Sequence, residues 1–239
     1  MMVRILLVLT LLLQVSCATK YIVPGNRFLT PESQGQALRG QIEIQQTNAN
    51  QLTIDTSQGT VDQGVVYDEV SRTGFLASNS IFDQLDVYWS HIGGANSLVG
   101  LKFQFLGDSR VAKTAGHKMS IAAALGENEH ETDDQSVEFN LGGREFMLLY
   151  GYRFSENVMT YSSFSMATYK FDGDIRSSDP GLNGADPKFD TKIQSLSAGL
   201  ELSWATVFGK LEGTYQQLKT TDTKDKNVFI VGYSVGMSW

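Results

Sequence analysis

Three histidines, one cysteine and a surplus of carboxylates are the side chains with which this 239-residue chain could do chemistry. Attack on an ester or amide needs a serine within hydrogen-bond reach of a histidine base. Ser90 and His91 are the one candidate pair. Neighbours on a strand point to opposite faces, so Ser90 cannot readily pass its proton to His91. His91, beside Trp89, reads instead as a polar residue at a membrane–water interface. His117 falls near a turn and His130 in an acidic stretch, neither with a nucleophile arranged around it. No catalytic residue is assigned, and an enzyme is not expected.

The carboxylates cluster as Glu127, Glu129, Glu131, Asp133 and Asp134, and again as Asp172, Asp174, Asp179, Asp186 and Asp190. Hard cations such as calcium favour such oxygens. The run Asp172-Gly173-Asp174-Ile175-Arg176, however, puts arginine at the fifth ligand position of an EF-hand-like loop. Asn183 stands where the twelfth-position glutamate belongs. These are read as solvated loop charges, with no metal and no cofactor expected.

A second charge set has a different character. Arg39, Lys102, Lys118, Arg153 and Lys210 share the polar parity of alternating segments with Glu43, Asp86, Glu145, Glu201 and Glu212. Five bases and five acids on one parity call for strands, whose side chains alternate with period two. Ten segments fit, near 37–46, 73–81, 84–92, 97–106, 117–126, 143–154, 157–171, 192–204, 207–218 and 228–239. The last is the clearest. Phe229, Val231, Tyr233, Val235, Met237 and Trp239 hold one parity, while small residues and Ile230 hold the other up to the final residue.

That C-terminal pattern resembles the closing strand of bacterial outer-membrane β-barrel proteins, an alternating apolar strand ending in an aromatic that the barrel assembly machinery reads. The resemblance covers this one strand closely and the rest of the chain loosely. It implies an all-β, closed antiparallel up-and-down transmembrane barrel of about ten strands, with eight or twelve as alternatives. It also implies outer-membrane lipid and the assembly machinery as partners in a Gram-negative envelope. Connection lengths agree, since such barrels keep periplasmic turns short and outer loops long. The expected inner turns are 82–84, 108–116, 155–157 and 205–206. The outer connections are 47–72, 93–96, 127–142, 172–191 and 219–227, with 47–72 either a loop or an extra hairpin that would make twelve strands. A change in which parity is apolar at Gly142-Gly143 suggests a bulge there.

In a barrel of this size charges placed inside must be paired or hydrated. The ten charged residues are therefore read as a balanced network that fills the lumen, or alternatively as the lining of a narrow conduit. At the N-terminus, Arg4 and the apolar run 5–13 read as a secretory signal, too short to span a bilayer as a helix. Cys17 follows a small residue, which resembles a bacterial lipoprotein cut, although Gln14 departs from the usual lipobox. Cleavage after Ala18 fits as well. Removing residues 1–16 takes away Arg4 and makes the net charge of −7 one unit more negative. That acidity disfavours nucleic acid or anionic membrane surfaces as partners. Residues 18–36 are expected to be a linker tethering a barrel of residues 37–239. The reading placed first is an integral outer-membrane barrel with a structural or surface-interaction role. A porin-like channel, a lipid-modifying enzyme and a soluble β-sandwich follow it.

Overall fold

The computed structural model describes residues 18–55, 62–95, 97–131, 137–175, 188–220 and 225–239. Its strands are β1 (Ala18–Val23), β2 (Gly40–Asp55), β3 (Asp62–Phe82), β4 (Leu85–Ile92), β5 (Leu98–Leu106), β6 (Gly116–Glu131), β7 (Val137–Ser155), β8 (Val158–Ile175), β9 (Lys188–Trp204), β10 (Val207–Thr220) and β11 (Lys226–Ser238). Each of β2 to β11 pairs antiparallel with its neighbours, and β11 returns to β2 through Gly232↔Thr47 to Ser238↔Gln41. The ten strands thus form a closed antiparallel barrel. Closure leaves no unpaired edge at membrane depth, which is what permits a sheet to sit in lipid.

Alternation decides which side chain meets which solvent. On β11, Phe229, Val231, Tyr233, Val235, Met237 and Trp239 all point outward and are exposed, while Ile230, Gly232 and Ser234 are buried. The same holds around the wall, with Ile42, Ile44, Leu101, Phe103, Leu148, Leu200 and Leu211 outward. From Phe229 to Trp239 the strand rises roughly 33 Å along its axis, giving about 25 Å of height at the usual tilt, the thickness of the apolar band of such barrels. The protein is a transmembrane barrel of the bacterial outer membrane. The soluble sandwich is overturned, because the sheet closes on itself and Phe229, Tyr233 and Trp239 of its last strand face away from the interior.

Tight turns close one end, at Asp83-Gln84, Glu156-Asn157 and Ala205-Thr206, together with a longer connection carrying a 3-10 turn at Arg110–Ala112. Ala205 takes φ 51° in its two-residue turn. This is the inner, periplasmic end. Toward the outer end the strands run well past the apolar band. The stretch 47–72 does pair, but by lengthening β2 and β3 into one hairpin with Thr47↔Arg72 to Asp55↔Asp62. It adds no strand to the barrel, so the count stays at ten.

The bulge expected at Gly142-Gly143 is absent. β6 and β7 keep one register from Gly116↔Arg153 to Glu131↔Glu138. What inverts is the environment. In the membrane the wall is apolar outside and polar inside. Beyond it Arg144, Lys170, Lys192 and Lys219 face water, while Leu141, Tyr169, Phe171, Ile193 and Leu218 are buried within. Residue parity never changes; the medium outside does. Three of the register shifts that do occur, on β3–β4, β5–β6 and β7–β8, lie at the inner end, at Ser80/Phe82, Gln104/Leu106 and Arg153/Ser155, and one lies in the outer part of β2–β3 at Thr53/Asp55.

Candidate functional site: a lumen filled by the chain's own N-terminal segment

The segment expected to tether the barrel lies inside it. β1 pairs with the outer half of β2, from Ala18↔Asp55 to Val23↔Asn50, where β11 no longer reaches. From there residues 24–34 descend through the lumen, almost wholly buried, to a turn at 36–38 that feeds β2 at the inner end. Ala18 therefore sits at the outer end of the barrel. Cys17 and the apolar run 5–13 lie outside the described residues.

A buried stretch without secondary structure must find partners for its backbone amides and carbonyls. Here the wall supplies them. The Glu212 carboxylate accepts the Arg27 and Phe28 amides at 3.0 and 2.9 Å. Gln104 Oε1 accepts Ser33 N at 2.6 Å, and Asp86 accepts Gln34 N at 3.1 Å. On the acceptor side, Gln216 Nε2 donates to the Pro24 and Gly25 carbonyls at 3.0 and 3.2 Å. Lys210 Nζ donates to Phe28 O at 2.7 Å, and Lys102 Nζ to Glu32 O at 2.5 Å. Ser120 Oγ donates to Pro31 O.

Side-chain pairs lock the same path. Arg153 holds Glu32 through Nε–Oε1 at 2.7 Å and Nη2–Oε2 at 2.5 Å, a two-pronged contact that fixes orientation as well as charge. Arg27 Nε meets Glu145 at 2.8 Å, and its Nη2 donates to Tyr169 Oη at 2.5 Å. Between these polar anchors Leu29 packs on Leu76, Tyr88, Leu98, Ala122, Met147 and Leu149. Space is made by glycine. A Cβ at Gly151 would stand 2.8 Å from Pro31 Cγ, and one at Gly232 would stand 2.8 Å from Phe28 Cζ.

Nine of the ten charges placed on the polar parity face the lumen. Asp86 pairs with Lys102 at 3.2 Å, Glu43 with Lys210 at 2.5 Å and Glu201 with Arg153 at 3.3 Å. Lys118 turns instead to Asp108 O and Thr114 Oγ1 at 2.9 and 3.1 Å. Arg39 does not join them. It is exposed at the inner rim, where with Lys113 and Trp239 it lines a cleft of about 380 Å³, because the turn at 36–38 holds the start of β2 outside the lumen. The sequence reading missed Arg27 and Glu32 of the inner segment, and Arg110, which reaches Glu201 at 2.9 Å and lies 4.6 Å over the Phe208 ring. None of the three is on a strand, so no alternation marked them.

Elsewhere, Ser90 is buried toward the lumen while His91 lies on the outer face, stacked on Trp89 with ring centroids 6.0 Å apart and bonded to Ser97 Oγ at 3.0 Å. His117 sits on the outer surface at the start of β6, 2.8 Å from Tyr150 Oη. Asp172 pairs with Lys188 at 3.2 Å. The side chains of Glu129, His130, Glu131 and Asp174, and residues Asp133, Asp134, Asp179 and Asp186, lie outside the described residues.

No protein-family model and no curated protein sequence matches the chain. Among solved structures, it is similar to the attachment invasion locus protein Ail of Yersinia pestis, at 11% identity over 85% of this chain and 98% of that one, with a TM-score of 0.40. Neisserial surface protein A shares 12% identity over 83% of this chain and 95% of its own, with a TM-score of 0.37. The outer membrane protease OmpT of Escherichia coli shares 8% over 92% and 93%, also at 0.37.

Proposed function

We propose that this protein is a self-plugged outer-membrane barrel with a structural and surface-presenting role, rather than a conduit for solutes. One observation carries the reading. The lumen is fitted to residues 24–34 almost atom by atom, with Glu212, Asp86 and Gln104 taking up its amides and Lys102, Lys210 and Gln216 its carbonyls. A lumen built to pass solute would keep those donors and acceptors for water. The charged residues serve as receptors for the inner segment, and what the barrel offers its surroundings is its outer extension and rim. The closing strand, Phe229 to Trp239, fits the same reading as the strand presented to the assembly machinery.

Planar-bilayer recording of the folded protein tests it. The expected result is a silent bilayer, with stable openings after Arg27→Ala and Glu32→Ala together release the inner segment. Reproducible openings from the unaltered protein would overturn the plug and favour the conduit.

A further inference from the structure

The cleft at the inner rim holds more positive charge than the plug neutralises. Arg39, Arg110, Lys113 and Arg153 all line it, and no acidic side chain does. Arg110 and Arg153 are answered from behind by Glu201 and Glu32. Arg39 and Lys113 are not. Among the described residues, no carboxylate, that of Trp239 included, lies within ion-pair distance of either. The acids closest to the cations in sequence, Asp108 and Glu156, do not border the cleft, and Asp108 accepts Thr114 Oγ1 at 2.7 Å. The mouth is therefore short of two negative charges.

A neutral group points the same way. Gln34, at the foot of the inner segment, is 2% exposed and lines the cleft, and its Nε2 has no hydrogen-bond partner. Asp86 takes its backbone amide, but the side-chain donor is left unpaired. A buried amide donor without an acceptor is costly, and the cleft is the side from which an acceptor can come. The backbone around the mouth is also held in an uncommon shape. Among the described residues four that are not glycine take positive φ, and three of them, Leu38 at 69°, Lys113 at 49° and Ala205 at 51°, line the cleft or adjoin Arg39. Left-handed backbone disfavours any residue with a Cβ, and such residues gather at ligand clamps. Glycine would take the position of Lys113 with less strain, but only the lysine brings charge to the mouth.

We infer that this cleft binds a small organic dianion from the periplasm, a dicarboxylate or a phosphomonoester, whose oxygens are held by Arg39 and Lys113 and accept the unpaired Nε2 donor of Gln34. Either ligand carries about two negative charges near neutral pH, which is what the mouth lacks. The guanidinium of Arg39 can grip a carboxylate or a phosphate through two parallel hydrogen bonds, and Lys113 adds a point charge. Charge of one sign in a concave mouth raises the local concentration of anions. Val111, Val207 and Trp239 give the cleft an apolar side, which suits a carbon skeleton better than a bare inorganic ion. A volume of about 380 Å³ lies at the small end of ligand pockets. The plug is the floor of the site rather than its competitor. Gln34 and the Arg153–Glu32 pair close the lumen side, so an anion that enters stops at the mouth.

Isothermal titration of the folded full-length chain in an uncharged detergent tests this with succinate, glycerol phosphate, inorganic phosphate and propionate. The expected result is saturable binding of succinate or glycerol phosphate, about tenfold tighter than inorganic phosphate or propionate, with the stronger of the two naming the oxyanion. R39Q with K113Q should weaken that binding about tenfold or more, the size expected for lost charge-assisted contacts. Arg39 is exposed and Lys113 half-buried, so unheated samples should keep the compact gel mobility of the folded barrel. Gln34→Leu separates a ligand group from a structural one. Removing an unpaired buried amide should leave the urea midpoint unchanged or higher and still weaken the dianion. Binding of neither dianion overturns the site, as does an affinity unchanged in R39Q with K113Q or by high salt. So does propionate held as tightly as succinate, or phosphatidylglycerol in the micelle abolishing the binding, which would assign the mouth to a lipid headgroup. The charge variant leaves the contacts of residues 24–34 intact and should stay silent in planar bilayers, so loss of the site leaves the plug standing.

Discussion

At the scale of single residues, Arg153 shows how much of the interior depends on pairing. Its guanidinium bridges Glu32 of the inner segment and Glu201 of β9, and all three side chains are almost fully buried. Removing one partner of such a group leaves uncompensated charge in a low-dielectric site, which costs about 3–5 kcal/mol, whereas replacing charge by well-packed apolar groups is often neutral. Arg153→Ala should therefore lower the urea midpoint of the folded barrel by a corresponding amount. Arg153→Met combined with Glu32→Leu should recover much of the loss, since Glu201 keeps Arg110. If the double replacement is as unstable as the single one, the pair contributes through shape rather than charge. Lys118 makes a useful contrast, as it bonds only a carbonyl and a hydroxyl and leaves no acid orphaned on removal.

Among the elements, the inner segment is the one that no periodicity announces. Residues 24–34 contain Pro24, Gly25 and Pro31, which rule out helix and central strand alike. The composition that reads as a linker in isolation becomes ordered only because a pre-shaped wall satisfies its backbone. Gly151 and Gly232 belong to that shape. Gly151→Leu would drive a side chain into Pro31 without altering any charge. The expected outcome is a barrel that still shows heat-modifiable mobility but exchanges the amides of residues 26–34 faster and opens in planar bilayers. Unchanged hydrogen exchange at Phe28 and Ser33 would show that the segment is held by its polar contacts alone. The strand pattern itself was legible in the sequence because alternation is local. The extra length of β7 and β8 was not, since their outer halves bury Leu141, Tyr169 and Phe171 once water replaces lipid outside.

At the scale of the molecule, two media act on one continuous wall. Leu211 and Gln217 lie on the same face of β10, the first within the apolar band and the second above it. Leu211→Arg should cost about 2–4 kcal/mol in vesicles, and Gln217→Arg about 0–1, following the depth dependence of charge on the lipid face. Equilibrium unfolding from lipid vesicles measures both. Equal costs would mean that the band is misplaced along the barrel. The same division explains why buried Leu141, Phe171, Ile193 and Leu218 crowd the outer extension while Glu43, Lys210 and Glu212 crowd the membrane-level lumen. The extension is a water-surrounded barrel with an apolar interior, stacked on a lipid-surrounded one with a polar interior.

Alternation along each segment, tight turns at one end and an aromatic final strand pointed to a closed membrane barrel of about ten strands, and the pairing of 47–72 within β2 and β3 decided between ten and twelve. The first three are carried by neighbours in the chain. They placed Glu43, Asp86, Lys102, Glu145, Arg153, Glu201, Lys210 and Glu212 inside, but not what they hold. The lumen's occupant, the rejection of Arg39 to the rim, and the recruitment of Arg27, Glu32 and Arg110 were decided by tertiary structure. Each depends on which strands become neighbours and how their registers align, and no spacing within a single segment encodes that.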